Sequence, residues 1–196
     1  MFTGIVESTG LIADIKVQGT NKHFKIMSAI SNELHEDQSV SHNGVCLTVT
    51  RVEEGAHWVT AVDETLKRSN LGHLTPQSEI NLERCMKADG RFDGHIVQGH
   101  VDLTATVTDI LEQNGSWIFS FEYGKTEEVL VEKGSVTVNG VSLTCFDTSG
   151  QRFKVAIIPY TYEHTNFHTF EIGTIVNIEF DILGKYVQKM LAKRGL

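Results

Sequence analysis

Apolar and polar residues alternate along most of this chain. In the run Ser116, Trp117, Ile118, Phe119, Ser120, Phe121, Glu122, Tyr123, the aromatics at 117, 119, 121 and 123 share one face, while Ser120 and Glu122 point the other way. That period of two marks a half-buried strand. Similar short runs occur at residues 11–17, 24–29, 39–52, 57–62 and 79–84, and the second half repeats them at 100–110, 135–146, 153–158 and 174–180. Turn signals separate them, among them Asn43-Gly44, Glu54-Gly55, Asn114-Gly115 and Ser149-Gly150. Strands so short and so punctuated predict an all-β chain of antiparallel sheets closed into small barrels, about six strands per half. Alternation weakens over 63–71 and 160–167, which predicts short helical turns at the same place in each half.

The tail has a different period. Ile182, Leu183, Tyr186, Val187, Met190 and Leu191 form one stripe of an α-helix, and Lys185, Lys189, Lys193 and Arg194 cover its other side. Basic residues near its end suit the helix dipole. By pattern alone this helix either caps its own barrel or joins subunits.

The halves are copies. His42-Asn43-Gly44-Val45-Cys46-Leu47-Thr48 returns 96 positions later as Val138-Asn139-Gly140-Val141-Ser142-Leu143-Thr144, and five of the seven residues match. Thr65 falls on Thr161, Asn70 on Asn166, and Asn81-Leu82-Glu83 on Asn177-Ile178-Glu179. Gly4-Ile5-Val6-Glu7 corresponds to Gly99-His100-Val101-Asp102, one residue out of phase. A period near half the chain means two copies of one domain, not a solenoid. The expected division is a first barrel over 1–95, a second over 96–181, and a helix over 182–196. Two copies imply two similar pockets.

Composition changes this picture little. At 196 residues, 40% apolar and 21% charged, the chain is an ordinary globular protein whose halves benefit from docking. A net charge of −8 argues against general nucleic-acid binding. No apolar run reaches the ~18 residues of a membrane span, and Met1-Phe2-Thr3-Gly4 lacks a basic signal-peptide start. Three cysteines, Cys46, Cys85 and Cys145, include no close pair, so neither a disulfide framework nor a zinc knuckle is expected. A cytoplasmic protein with reduced thiols follows.

Five blocks, in order and correctly spaced, resemble one family. They are the opening Met1-Phe2-Thr3-Gly4-Ile5-Val6-Glu7, the stretch from Ser39 through His42-Asn43-Gly44 to Val49, Glu64-Thr65-Leu66, Gly94-His95-Ile96-Val97-Gln98-Gly99-His100-Val101, and Val138 through Thr144. They are similar to the riboflavin synthase family, which is built from two lumazine-binding repeats. The resemblance implies two six-stranded Greek-key barrels and a C-terminal helix that gathers three subunits. Each barrel holds one 6,7-dimethyl-8-ribityllumazine, and the active site lies between the first barrel of one subunit and the second of its neighbour. A four-carbon unit passes between the two lumazines, giving riboflavin and 5-amino-6-ribitylaminouracil without metal or organic cofactor. An association with the lumazine synthase that supplies the substrate is a further partner to consider.

The resemblance also assigns residues. Gly4, Ile5 and Val6, then Cys46, Leu47 and Thr48, then Thr60, Ala61, Val62, Asp63, Glu64 and Thr65 fall to the first pocket. Ser142, Leu143 and Thr144, then Ile158, Pro159, Tyr160, Thr161, Tyr162 and Glu163 fall to the second, with Gly99, His100, Val101 and Lys133 contributing. Tyr160 departs from the pattern, since some relatives carry Glu both there and at the position of Glu64.

One lumazine must lose a proton from its 7-methyl group, and the other must be attacked at C7 before its ring opens. Matched residues serve binding: small ones bring backbone amides to a flat ring, and hydroxyls bond ribityl oxygens. The mismatches Cys46/Ser142, Ile5/His100 and Glu64/Tyr160 are where the roles divide. His100 is the candidate base, because imidazole titrates near working pH. Cys46 is the candidate nucleophile or proton shuttle, and Ser142 and Thr144 orient water or bond the ring.

Each residue has a plainer reading. A strand cysteine is more often a small buried hydrophobe, and Cys85 and Cys145 are read so. Ser142 and Thr144 are otherwise ordinary strand residues, Lys133 a solvated charge, and His42, His73, His164 and His168 structural or surface. His95 and His100 lack a third partner for a metal. The competing function is a non-catalytic lumazine- or flavin-binding antenna protein of the same fold. Intact blocks in both repeats favour the enzyme.

Overall fold

The structure is a computed structural model that describes residues 1–194. Twelve strands form along the described residues: β1 (Ser8–Gln18), β2 (Asn21–Ser28), β3 (Ser39–His42), β4 (Val45–Glu53), β5 (Ala56–Ala61), β6 (Glu79–Arg84), β7 (Leu103–Glu112), β8 (Trp117–Tyr123), β9 (Ser135–Val138), β10 (Val141–Ser149), β11 (Arg152–Ile157) and β12 (Ile175–Phe180). Three α-helices accompany them: α1 (Asp63–Arg68), α2 (Pro159–His164) and α3 (Ile182–Lys193). The first six strands close into a barrel in the order β1-β2-β5-β4-β3-β6, and the last six close in the same cyclic order. The non-sequential neighbours make each a Greek key, and closure leaves no free edge.

The alternation read from sequence locates the strands, but the runs 39–52 and 135–146 are each two of them. Asn43 and Gly44 both have positive φ, as do Asn139 and Gly140, and each pair turns a tight hairpin (β3–β4 and β9–β10). The weakly alternating stretches hold α1 and α2, each followed by a 3-10 turn.

Both barrels are filled with side chains. The first is aliphatic, packed around Ile12, Ile26, Val40, Val49, Ile80 and Leu82, while the second is aromatic, with Phe119, Phe121, Phe153, Phe167 and Phe180 in contact. The space inside the first barrel measures about 10 Å³, too little for a pteridine.

The first core also contains a polar chain. His42 Nε2 meets His57 Nε2 at 2.9 Å, His57 Nδ1 meets Ser31 Oγ at 2.9 Å, and His42 Nδ1 meets the Val40 carbonyl at 3.0 Å. A carbonyl only accepts, so His42 Nδ1 carries its proton, its Nε2 accepts from His57 Nε2–H, and Ser31 donates to His57 Nδ1. Val138 and Phe153 stand at the equivalent places in the second barrel.

Six asparagines join the barrels about a pseudo-twofold axis. Asn81 Nδ2 donates to the Asn139 carbonyl (2.9 Å) and Asn166 Oδ1 (2.8 Å), while Asn81 Oδ1 accepts from Asn166 N–H (2.8 Å). The mirror set runs from Asn177 to the Asn43 carbonyl (2.8 Å), to Asn70 Oδ1 (2.9 Å) and from Asn70 N–H (2.6 Å). A Cβ on Gly44 would lie 2.8 Å from the Gly140 nitrogen, and the converse also holds. The repeated asparagines thus hold the copies together and do not line a pocket.

Candidate active site

Two openings on the outer barrel surfaces collect most of the residues expected to act. In β4, Val45, Leu47 and Val49 turn inward, so Cys46 and Thr48 face out. Cys46 joins Glu64, Thr65 and Arg68 of α1, and Gly99, His100, Val101 and Asp102 of the second half's leading segment, around a cavity of about 410 Å³. Ser142 on β10 does the same for a second cavity of about 530 Å³, with Lys133, Leu143, Thr144, Ile158 and Thr161. Both volumes suit a small ligand. They share equivalent positions only at Cys46/Ser142 and Thr65/Thr161.

The segments before each barrel are exchanged, which corrects the assignment made from sequence. Gly4, Ile5 and Val6 were expected in the first pocket and Gly99, His100 and Val101 in the second. Instead the Gly4 carbonyl accepts from Ser142 N–H (2.7 Å) and Val6 packs on the second core. The Gly99 carbonyl accepts from Cys46 N–H (2.9 Å) and Val101 packs on the first core. A Cβ on Gly4 would come within 2.6 Å of Ser142 Cβ, and one on Gly99 within 2.6 Å of Cys46 Cβ. Only glycine permits that approach. The two arms cross at the pseudo-axis, where Phe2 and Val97 bridge with N–H···O distances of 2.7 and 3.1 Å.

Other expected residues stand apart from the cavities. Leu47 and Ala61 are buried in the first core, because alternation along β4 and β5 turns them inward. Thr48 is exposed on β4, and the Thr60 hydroxyl bonds His23 Nδ1 at 2.8 Å. Val62 precedes α1, and Asp63 pairs with Lys67. Pro159 opens α2; Tyr160 is exposed and stacks on His164, Tyr162 stacks on Trp117 at 3.8 Å, and Glu163 is exposed. Ile5 lines a separate surface cavity with Glu83 and Arg91.

His95, weighed from sequence only as half of a metal pair with His100, lies beside Ser142. Its Nδ1 lies 2.7 Å from Ser142 Oγ, and its Nε2 lies 3.2 Å from Thr137 Oγ1. Burial pushes its pKa down, with Asp181 nearby opposing this. A neutral His95 can take the Ser142 proton, while Thr137 holds the ring. Among the described residues Cys46 has no such partner, so the pockets differ chemically although Cys46 and Ser142 hold equivalent places. Arg68 and Asp102 also escaped the sequence reading. Asp102 accepts from Phe180 N–H (2.9 Å) and from Lys185 Nζ of α3 (2.6 and 2.7 Å), tying the His100 arm to the terminal helix. No His/Cys/Asp/Glu group that could hold a metal occurs among the described residues.

Helix α3 leaves Leu183, Tyr186, Val187, Met190 and Leu191 exposed, and none of its residues is buried. It does not cap its own barrel.

The chain is similar to known proteins over its whole length. The lumazine binding domain model matches twice, at residues 3–85 and 98–181. The riboflavin synthase of Actinobacillus pleuropneumoniae is 43% identical over 196 residues, covering 99% of this chain and 91% of the relative. That of Bacillus subtilis (strain 168) is 42% identical over 195 residues, covering 98% and 91%. Among solved structures, LumP complexed with riboflavin superposes with a TM-score of 0.85 at 24% identity, covering 91% of this chain and 98% of that one. LumP complexed with 6,7-dimethyl-8-(1'-D-ribityl) lumazine gives 0.84 at 23% identity, covering 92% and 99%. The latter two show the same fold. With two lumazine-binding repeats and full-length identity of this degree, the chain belongs to the riboflavin synthase family.

Proposed function

We propose that this chain is an active riboflavin synthase, a transferase that dismutates two molecules of 6,7-dimethyl-8-ribityllumazine into riboflavin and 5-amino-6-ribitylaminouracil. The observation that carries the reading is full-length identity of 36–43% to curated riboflavin synthases, with both repeats retaining their pocket. The matched positions Thr65 and Thr161 take equivalent parts of two identical substrates. The unmatched ones divide the roles: Cys46 and His100 act at the first pocket, and Ser142 with His95 at the second.

His100 lies exposed at the cavity rim and serves as base toward the 7-methyl proton of one lumazine. The resulting carbanion attacks the other lumazine, which a nucleophile has activated at C7. Ser142, relieved of its proton by His95, or a water it orients, supplies that nucleophile. Thr144 bonds the ring beside it.

The working unit is a cytoplasmic homotrimer, in which the division into 1–95, 96–181 and 182–196 becomes two ligand barrels and an assembly helix. The apolar stripe of α3, unburied in the single chain, supports this. So do two cavities that open outward and need a facing surface to exclude water.

The alternative is a non-catalytic antenna protein. The likeness to LumP speaks only for a shared fold, whereas identity to the enzymes runs over the whole chain. Purified protein mixed with 6,7-dimethyl-8-ribityllumazine alone should develop riboflavin absorbance. Binding without riboflavin would refute the enzyme and leave the antenna.

A further inference from the structure

Glu83 and Glu179 occupy equivalent places on β6 and β12, and both are buried, with 5% and 3% of their surface exposed. Two charges withdrawn from water need compensation. Each has it chiefly from backbone N–H groups: Glu179 from the arm that walls the Cys46 cavity, and Glu83 from the arm whose Gly4 carbonyl bonds Ser142 N–H. Glu83 accepts from Thr3 N–H (2.7 Å), Thr3 Oγ1–H (2.9 Å) and Gly4 N–H (3.0 Å). Glu179 accepts from the N–H groups of Gln98 (2.7 Å), Gly99 (2.9 Å) and His100 (3.0 Å). Burial raises both carboxyls above their ordinary value, and these donors pull them back toward the charged form.

The arms they hold do not serve their own repeats. Glu179 belongs to the second repeat, yet the segment it grips hands the Gly99 carbonyl to Cys46 N–H and places His100 at the first cavity. Glu83 belongs to the first repeat, and its segment hands the Gly4 carbonyl to Ser142 N–H on the second barrel. Both oxygens of each carboxylate are engaged, so the arm is held at two points and cannot pivot. Packing holds the flanks of each arm, at Phe2 and Val6 and at Val97 and Val101, while Ile5 and His100 between them are exposed.

We propose that Glu83 and Glu179 are positioning residues, each clamping the arm whose carbonyl anchors the cavity-lining strand residue of the other repeat, Ser142 or Cys46. Glu179 governs the Cys46/His100 pocket and Glu83 the Ser142 pocket. The inference rests on the reading of both cavities as lumazine sites. It adds that each pocket depends on a carboxylate from the opposite half of the chain.

Glutamine is the discriminating replacement, since it keeps the shape but turns one oxygen into an NH2 that faces N–H donors. The full-length protein is titrated with isotope-labelled 6,7-dimethyl-8-ribityllumazine, and the bound ligand is followed by NMR. The two pockets give separate bound signals because their walls differ; Arg68→Ala shifts the first and Lys133→Ala the second. Glu179→Gln should weaken the first-pocket signal on the order of tenfold, leaving the second within about twofold. Glu83→Gln should do the reverse. If glutamine prevents folding, Glu179→Asp and Glu83→Asp, which keep the charge and shorten its reach, are read the same way. Equal loss from both pockets, or none from either, overturns the positioning role. A wild-type chain with no bound signal defeats the lumazine reading itself, and this inference with it.

Discussion

Single side chains divide here into those that alternation exposes and those that it buries. Cys46 faces the first cavity because its neighbours Val45 and Leu47 face the core. Cys46→Ser keeps the size and the strand, so it should slow turnover on the order of tenfold or more while the dissociation constant for lumazine moves little. Equal loss of both, in steady-state rates and binding titrations, would make the thiol a packing residue.

The buried pair His42 and His57 makes a different prediction. Burial lowers His57 from 6.5 to about 4, and His42 falls well below 6.5 through burial and its neighbour His57. Both are neutral when folded and bind protons when unfolded. The unfolded state therefore gains protons first as pH falls, and stability declines between pH 6.5 and about 4. For His57 the loss is about 3 kcal/mol. The raised carboxyls Glu83 and Glu179 act with the opposite sign, so the measurement is a comparison. Chemical denaturation of a His42→Val, His57→Phe variant, which borrows the second barrel's residues, should show a shallower acid decline than wild type. An unchanged slope would exclude the pair as its cause. Cys46 and His100 were legible in the sequence because they break a repeat. The role of His95 was not, since the residue has no counterpart in the first repeat to differ from and only folding brings it to Ser142.

At the scale of elements, the strands were legible as alternating burial, the two short helices as stretches where alternation fades, and α3 as an apolar stripe of helical period. Two features were not. Residues 39–52 and 135–146 read as single runs because each two-residue Asn-Gly turn is too short to leave a gap between its strands. The role of α3 was also undecided, since an apolar stripe reports that a face must be covered and not by what. The structure leaves that stripe in solvent and fastens only the opposite side, through Lys185 to Asp102. Removing residues from Ile182 onward should give monomers by sedimentation with little riboflavin formation. An active truncated monomer would refute a site shared between subunits.

At the scale of the molecule, the two copies act as one body because polar groups at their junction are satisfied only across it. Asn81→Ala strips partners from the Asn139 carbonyl, the Asn166 N–H and Asn166 Oδ1. Buried groups left so cost on the order of 3 kcal/mol in total, to be seen as a lowered unfolding free energy. A neutral result would mean that water or relaxation satisfies those groups.

The sequence by itself determined the barrels, their duplication, the family and the residues at which the copies differ. All of these are written in local period and in likeness between segments. Only the tertiary structure decided which arm serves which pocket. A repeat states that two segments are equivalent, but the crossing at Phe2 and Val97 and the close approach of Gly4 to Ser142 and Gly99 to Cys46 depend on how the copies dock. That docking follows from the asparagines and buried carboxylates between the halves: the residues repeat, but their partners lie 58 to 134 residues away, and the repeat does not say which pairs with which.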